Sequence, residues 1–165
     1  MSTADTTSEG RPTAVGLIAP ALVDLDLDAS ATDKDAAIRR LVSLAHAAGR
    51  VTDVEQMLAD VRAREAQMPT GLEGGIGIPH ARSAAVRIPT LVFGRSSAGI
   101  DFGAEDGPAR IVFLIAAPDD GEGEHLTVLA ALARRLVHQS FREALINAGD
   151  PEDVVELIRN EVENR

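Results

Sequence analysis

The stretch Ala109-Arg110-Ile111-Val112-Phe113-Leu114-Ile115-Ala116-Ala117 holds one polar side chain among its nine residues and ends at Pro118. A strand with one face in water alternates apolar and polar residues. A run this continuous reads instead as a strand covered on both faces, in the interior of a sheet with helices laid against it. Leu22-Val23-Asp24-Leu25-Asp26-Leu27 alternates cleanly and reads as a further strand, as do the residues around Gly75–Ile78 and Thr90-Leu91-Val92-Phe93. Thr32 with Asp35, and Thr52 with Glu55, have capping-box spacing, and each pair opens an amphipathic helix. The first helix carries Ile38, Leu41, Ala45 and Ala48 and stops at Gly49; the second carries Val54, Met57, Leu58 and Val61. Further helices are expected from Glu124 or His125 to about His138, from Phe141 to Ile146, and after Asp150, with Pro151 in the first helical position. The sum is an α/β (α+β) sandwich, a mixed β-sheet of about five strands flanked by helices. Residues 1–15 read as a flexible tail, and residues 16–165 as one domain.

Composition narrows the functions open to such a fold. Hydrophobic residues make up 45 % of the chain with no Trp, no Tyr and four Phe, so the core is aliphatic and offers no aromatic platform for bases or sugars. A net charge of -10 argues against nucleic acid, whose phosphates need clustered Lys and Arg, and suits a partner with a basic face. With no cysteine there is no disulfide framework and no thiol nucleophile. Neither a long apolar run nor a basic-then-hydrophobic N-terminus occurs, so a cytoplasmic protein without membrane insertion is expected.

The chemistry concentrates around two histidines. Thr70-Gly71-Leu72-Glu73-Gly74-Gly75-Ile76-Gly77-Ile78-Pro79-His80-Ala81-Arg82 packs glycines into a bend and then presents His80 behind a proline that fixes the backbone approach. Such glycines mark a positive φ or a close backbone approach. His125 follows the polar loop Asp119-Asp120-Gly121-Glu122-Gly123-Glu124 at an expected helix N-terminus, where free N–H groups welcome an anion. Histidine is a nitrogen nucleophile near neutral pH, and as a phosphoryl acceptor it needs one bare ring nitrogen, the other held by a hydrogen bond, and positive charge nearby. Arg64, Arg82, the glycine N–H groups and the Thr70 hydroxyl are candidates for that surrounding. The plainer readings are a surface turn at His80, an ordinary helix start at His125 and a solvated face at Arg64-Glu65. His46 and His138 lie among apolar helical positions and read as structural. A zinc site from His80, His125 and Asp101 lacks close ligand spacing. No Gly-Lys-Ser/Thr follows the glycines, so a P-loop is excluded.

Arg64-Glu65, Thr70-Gly71, Gly75-Ile76-Gly77-Ile78-Pro79-His80, Leu114-Ile115-Ala116-Ala117-Pro118 and the helix start His125-Leu126-Thr127-Val128-Leu129-Ala130 occur in an order that resembles the fructose/mannitol-type enzyme IIA of the bacterial sugar phosphotransferase system, over roughly residues 16–160. The resemblance implies that His80 is the phosphorylated residue, that His125 stabilises the phosphorylated state beside it, and that Arg64 contacts the same site. It implies a phosphoryl relay from the carrier HPr to a sugar-specific enzyme IIB working with the membrane enzyme IIC, with no cofactor and no metal. Ala81 stands where the family usually has glycine, which bears on how closely a partner's backbone approaches. Ile76, Ile78 and Ala81 are expected to form an apolar rim around His80. The alternatives are a nitrogen-regulatory enzyme IIA, which acts by phosphorylation-dependent protein binding, and a module that merely holds an anion in the glycine loop.

Overall fold

A computed structural model of the protein describes residues 16–120 and 124–163, without the side chains of Glu124, His125 and Glu163; the expected tail over residues 1–15 lies outside them. Six strands make one mixed sheet: β1 (Val23–Asp24), β2 (Gly71–Leu72), β3 (Ile76–Gly77), β4 (His80–Ser83), β5 (Thr90–Ile100) and β6 (Ala109–Pro118). The order is β1-β5-β6-β3-β2, with β4 also paired to β6. The apolar run is β6, buried along its length except at Arg110 and Pro118. On one edge it pairs antiparallel with β5, Phe93 opposite Phe113, and those two rings meet edge to face at 5.2 Å. On the other edge lie β3 and β4, both parallel to β6. Ile76 opposes Ile111 and His80 opposes Ile115, so the two short strands keep one register across the Ile78-Pro79 gap. Proline has no N–H to give to a ladder, which explains a break at that point.

Helices α1 (Lys34–Ala47) and α2 (Val54–Gln67) pack on each other, α1 against β5 and α2 against β4. Helices α3 (Glu124–Leu136) and α4 (Gln139–Asn147) pack on β6, and α5 (Pro151–Ile158) on β1. Among the described residues no helix is long and apolar enough to cross a membrane. The fold is therefore the expected sheet flanked by helices, with β2 and β4 added to the strands the sequence announces.

Local chemistry moved several boundaries. Asp24 accepts the Asp26 N–H (2.9 Å) and the Arg40 Nε–H (2.8 Å), which turns the chain; the strand expected over Leu22–Leu27 shrinks to Val23–Asp24, and Leu27 enters a 3₁₀ turn. Asp33 and Asp53, rather than Thr32 and Thr52, cap α1 and α2 by accepting N–H bonds from Ala36 and Gln56. Thr52 was not free to cap, since its N–H and its hydroxyl both donate to the Ala85 carbonyl. Gly49 ends α1 as expected: its φ is +77°, and the Arg50 N–H returns to the Ala45 carbonyl. Asp150 and Pro151 start α5, also as expected.

Two anchors tie distant segments to β5. The Arg95 guanidinium donates through Nη1 to the Leu145, Ile146 and Ala148 carbonyls at the end of α4 and through Nε to the Leu25 carbonyl. A cation at a helix C-terminus also opposes the helix dipole favourably. Asp28 serves the irregular part of β5 between Arg95 and Ile100, accepting from the Ser96 hydroxyl (2.6 Å) and the Ser97 and Ala98 N–H groups. The Ser96 hydroxyl, opposed by partial burial and assisted by the two N–H groups, holds the Asp28 carboxyl below its ordinary value of 3.8. A carboxyl lowered on folding stabilises the fold above its unfolded value, and that contribution is lost as pH falls through the folded value. Asp28→Asn should therefore be less stable than the parent in denaturant unfolding at about pH 7, with the difference shrinking as the titration proceeds to about pH 2.

Candidate active site

The geometry of the Pro-His pair follows from the interrupted edge of β6. Pro79 lies in the gap and its carbonyl accepts the Ile115 N–H at 3.0 Å, so the chain re-enters the ladder with His80 as the first residue of β4. His80 is half-buried, and its Nδ1 lies 2.9 Å from the Ile78 carbonyl. A carbonyl only accepts, so Nδ1 carries the proton, and in the neutral ring Nε2 keeps its lone pair. Among the described residues, one ring nitrogen is held and the other meets no partner.

Arg64 stands in the last turn of α2, the helix that packs on β4. It is half-buried, and among the described residues its guanidinium makes one long hydrogen bond, 3.4 Å from Nη1 to the Met68 carbonyl. A fork held this loosely is able to turn toward an anion. His125 belongs to the first turn of α3, where the sequence places it, but its side chain lies outside the described residues. That turn begins soon after β6 ends at Pro118, and His80 sits opposite Ile115 near the same end. The helix that bears Arg64 thus packs on the strand that begins with His80, and the helix that bears His125 packs on β6.

Other candidates also have partners in the scaffold. Arg82 donates to the Asp119 carbonyl at 2.7 Å, tying β4 to the segment that leads toward α3. The Thr70 hydroxyl donates to Glu65 Oε1 at 2.7 Å. Three of the glycine N–H groups are spent elsewhere or distant from His80. Gly71 donates to the Phe102 carbonyl and Gly74 to Asp106 Oδ2, and Gly75 is five residues before His80, about 16 Å of extended chain. The glycines have the physical causes expected of them: Gly74 and Gly75 have positive φ in the β2–β3 turn, and a Cβ on Gly77 would lie 2.6 Å from the Phe102 ring. Asp101 accepts the Gly103 N–H in a local turn. His46 bonds the Val51 carbonyl through Nδ1, and His138 precedes α4 as its exposed cap residue.

The expected apolar rim is corrected by burial. Ile76, Ile78 and Ala81 are 1, 8 and 7 % exposed and belong to the core, so the methyl of Ala81 faces inward rather than toward a partner. The exposed apolar side chains on these elements are Met68, whose carbonyl Arg64 meets, and Leu126, beside His125, at 63 and 59 %. Glu65 is the residue that sequence reasoning missed. Read as half of a solvated pair, it is 5 % exposed and accepts from the Thr70 N–H, the Thr70 hydroxyl and Lys34 Nζ. Its spacing from Leu58 and Val61 puts it on the buried stripe of α2, a signal the periodicity did contain.

The family model described as "Phosphoenolpyruvate-dependent sugar phosphotransferase system, EIIA 2" matches residues 17–161. The PTS system fructose-specific EIIA component of Haloferax volcanii is 41 % identical over 140 residues, 84 % of this chain and 91 % of that protein. Among solved structures, the complex of enzyme IIAMTL with phosphorylated enzyme IIBMTL from Escherichia coli aligns with a TM-score of 0.73 at 28 % identity, over 87 % of this chain and 99 % of that one. The nitrogen regulatory protein IIA-Ntr from Neisseria meningitidis also gives 0.73 at 28 % identity, over 86 and 96 %. With the family's pattern spanning nearly all of the described residues, the chain belongs to the EIIA type 2 family of the phosphoenolpyruvate-dependent sugar phosphotransferase system and works as a phosphoryl relay between HPr and enzyme IIB.

Proposed function

We propose that the phosphoryl group is carried on Nε2 of His80. The observation behind this reading is the 2.9 Å contact between Nδ1 and the Ile78 carbonyl, which leaves Nε2 as the nucleophilic nitrogen. Its lone pair attacks the phosphorus of the carrier's phosphohistidine. The N–P bond to Nε2 forms as the carrier's P–N bond breaks, and that electron pair returns to the carrier's ring nitrogen. The His80 ring gains positive character because Nδ1 keeps its proton, and the Ile78 carbonyl is placed to stabilise it. Onward transfer reverses this at Nε2, with a nucleophile of enzyme IIB, a cysteine or in some systems a histidine, taking the phosphorus.

Arg64 neutralises the phosphoryl oxygens in this scheme, and His125, with the N–H groups of the first turn of α3, stabilises the phosphorylated form. Met68 and Leu126 give HPr and enzyme IIB an apolar surface, and the net charge of -10 steers a carrier with a basic face. The relay acts in the cytoplasm, handing its phosphoryl group toward a membrane enzyme IIC. The 41 % identity to a fructose-specific component favours a fructose-type system, whereas the likeness to IIA-Ntr supports a second reading, regulation through phosphorylation-dependent binding. Binding of an enzyme IIB in pull-down, against binding of other proteins only, separates the two.

His80→Ala should lose all labelling by phosphorylated HPr while staying folded, since a half-buried residue at a strand start contributes little to the core; labelling at the parent rate would overturn the assignment. For His125→Ala the acceptor remains, and transfer to enzyme IIB should slow by roughly 10²–10⁴, as read in rapid-quench kinetics. Arg64→Lys keeps the charge but not the fork, and should cut the transfer rate about tenfold or more; an unimpaired variant would place the guanidinium elsewhere.

A further inference from the structure

A line of hydrogen bonds runs from α1 to the ring of His80. Lys34 Nζ lies 3.3 Å from Glu65 Oε2, and the same oxygen accepts the Thr70 N–H at 2.8 Å while Oε1 accepts the Thr70 hydroxyl at 2.7 Å. The Thr70 carbonyl accepts the Ile78 N–H at 3.2 Å, and the Ile78 carbonyl meets Nδ1 of His80 at 2.9 Å. The peptide groups of Ile78 are held from the other side as well. Gly77 lies so close to Phe102 that no Cβ fits between them, and Lys34 Nζ stands 5.9 Å from the centroid of that same ring. Pro79, coming next, keeps Ile78 extended. The oxygen that orients the histidine therefore has little slack.

A buried carboxylate is a poor way to gain stability alone, because an apolar side chain of similar volume avoids the desolvation cost. Removing it, however, frees the Thr70 turn and with it the far end of the Ile78 peptide. We propose that Glu65 is a positioning residue for His80. Acting through Thr70 and the Ile78 peptide, it holds the ring in the tautomer that leaves Nε2 bare, and Lys34 supplies its counter-charge. This rests on the reading of His80 as the phosphoryl acceptor.

The test reads the tautomer directly. Long-range ¹H–¹⁵N correlation spectra of the full chain report which ring nitrogen is protonated, and His80 is identified among the four histidines by the signals lost in His80→Ala. In the parent, Nε2 should be the unprotonated nitrogen. Glu65→Gln and Thr70→Val should each shift the tautomer ratio toward Nε2–H about fivefold, the worth of one ordinary hydrogen bond, and slow phosphoryl uptake from phosphorylated HPr by a similar factor. Thr70→Ser, which keeps both donors to Glu65, should restore the parent ratio. Folded Glu65→Gln and Thr70→Val proteins with the parent's tautomer ratio and ring titration would overturn the proposal, and if Glu65→Gln does not fold, Thr70→Val decides by the same readout. Labelled His80 with an unmoved tautomer in the variants sinks this inference alone. A tautomer that moves as expected, in a protein that never takes phosphate on His80, sinks the acceptor reading and leaves the positioning line standing.

Discussion

The hydrogen-bond ladders on the two edges of β6 set the position of everything else. β6 is buried on both faces, so its N–H and C=O groups cannot turn to water and must be met by strands on either side. β5 does so in one continuous antiparallel ladder up to Arg95, and β3 and β4 do so as one parallel strand with a gap. The gap is bridged by backbone: the Gly75 carbonyl accepts the Arg110 and Ile111 N–H groups before it, and the Pro79 carbonyl accepts the Ile115 N–H at its far side. Side chains alternate faces along a strand, so a slip of one residue would turn His80 and Ala81 to opposite sides.

The site is made from the groups that this irregularity releases. The Pro79 carbonyl still accepts the Ile115 N–H, as in a regular ladder. Ile78 instead gives its N–H to Thr70 and its carbonyl to the His80 ring, and Pro79 has no N–H to satisfy. A break in the sheet thus supplies ring orientation without leaving a buried donor unmet. Helix α2 closes over it, bringing a buried acid to the Thr70 turn and a loosely held guanidinium to the surface.

Much of this was legible in the sequence because it depends on neighbours in the chain. The unbroken apolar run gave away β6, the glycine after Ala48 gave away the end of α1, and Gly-Ile-Gly-Ile-Pro-His marked both a close backbone approach and a presented histidine. What escaped notice depends on partners far along the chain. Thr52 looks like a cap until Ala85 arrives to take both its donors. Arg82 reads as a candidate phosphate ligand from its place two residues after His80, and only the fold reveals that one of its N–H groups goes to the Asp119 carbonyl. Ile76 and Ile78 look like a rim because they are near His80 in sequence, yet that strand has β6 along its edge and the core over its side chains. β2 and β4 were too short and too mixed in character to announce themselves.

Arg95 joins four stations of the chain, at residues 25, 95, 145–146 and 148, through one guanidinium on the sheet. The end of α4 is therefore not an appendage that frays by itself. To melt it, the cation must give up three carbonyls at once and remain half-buried beside β5, which is less favourable than keeping them. Opening of the end of α4 is thereby coupled to release of a cation seated on β5, the strand that flanks β6.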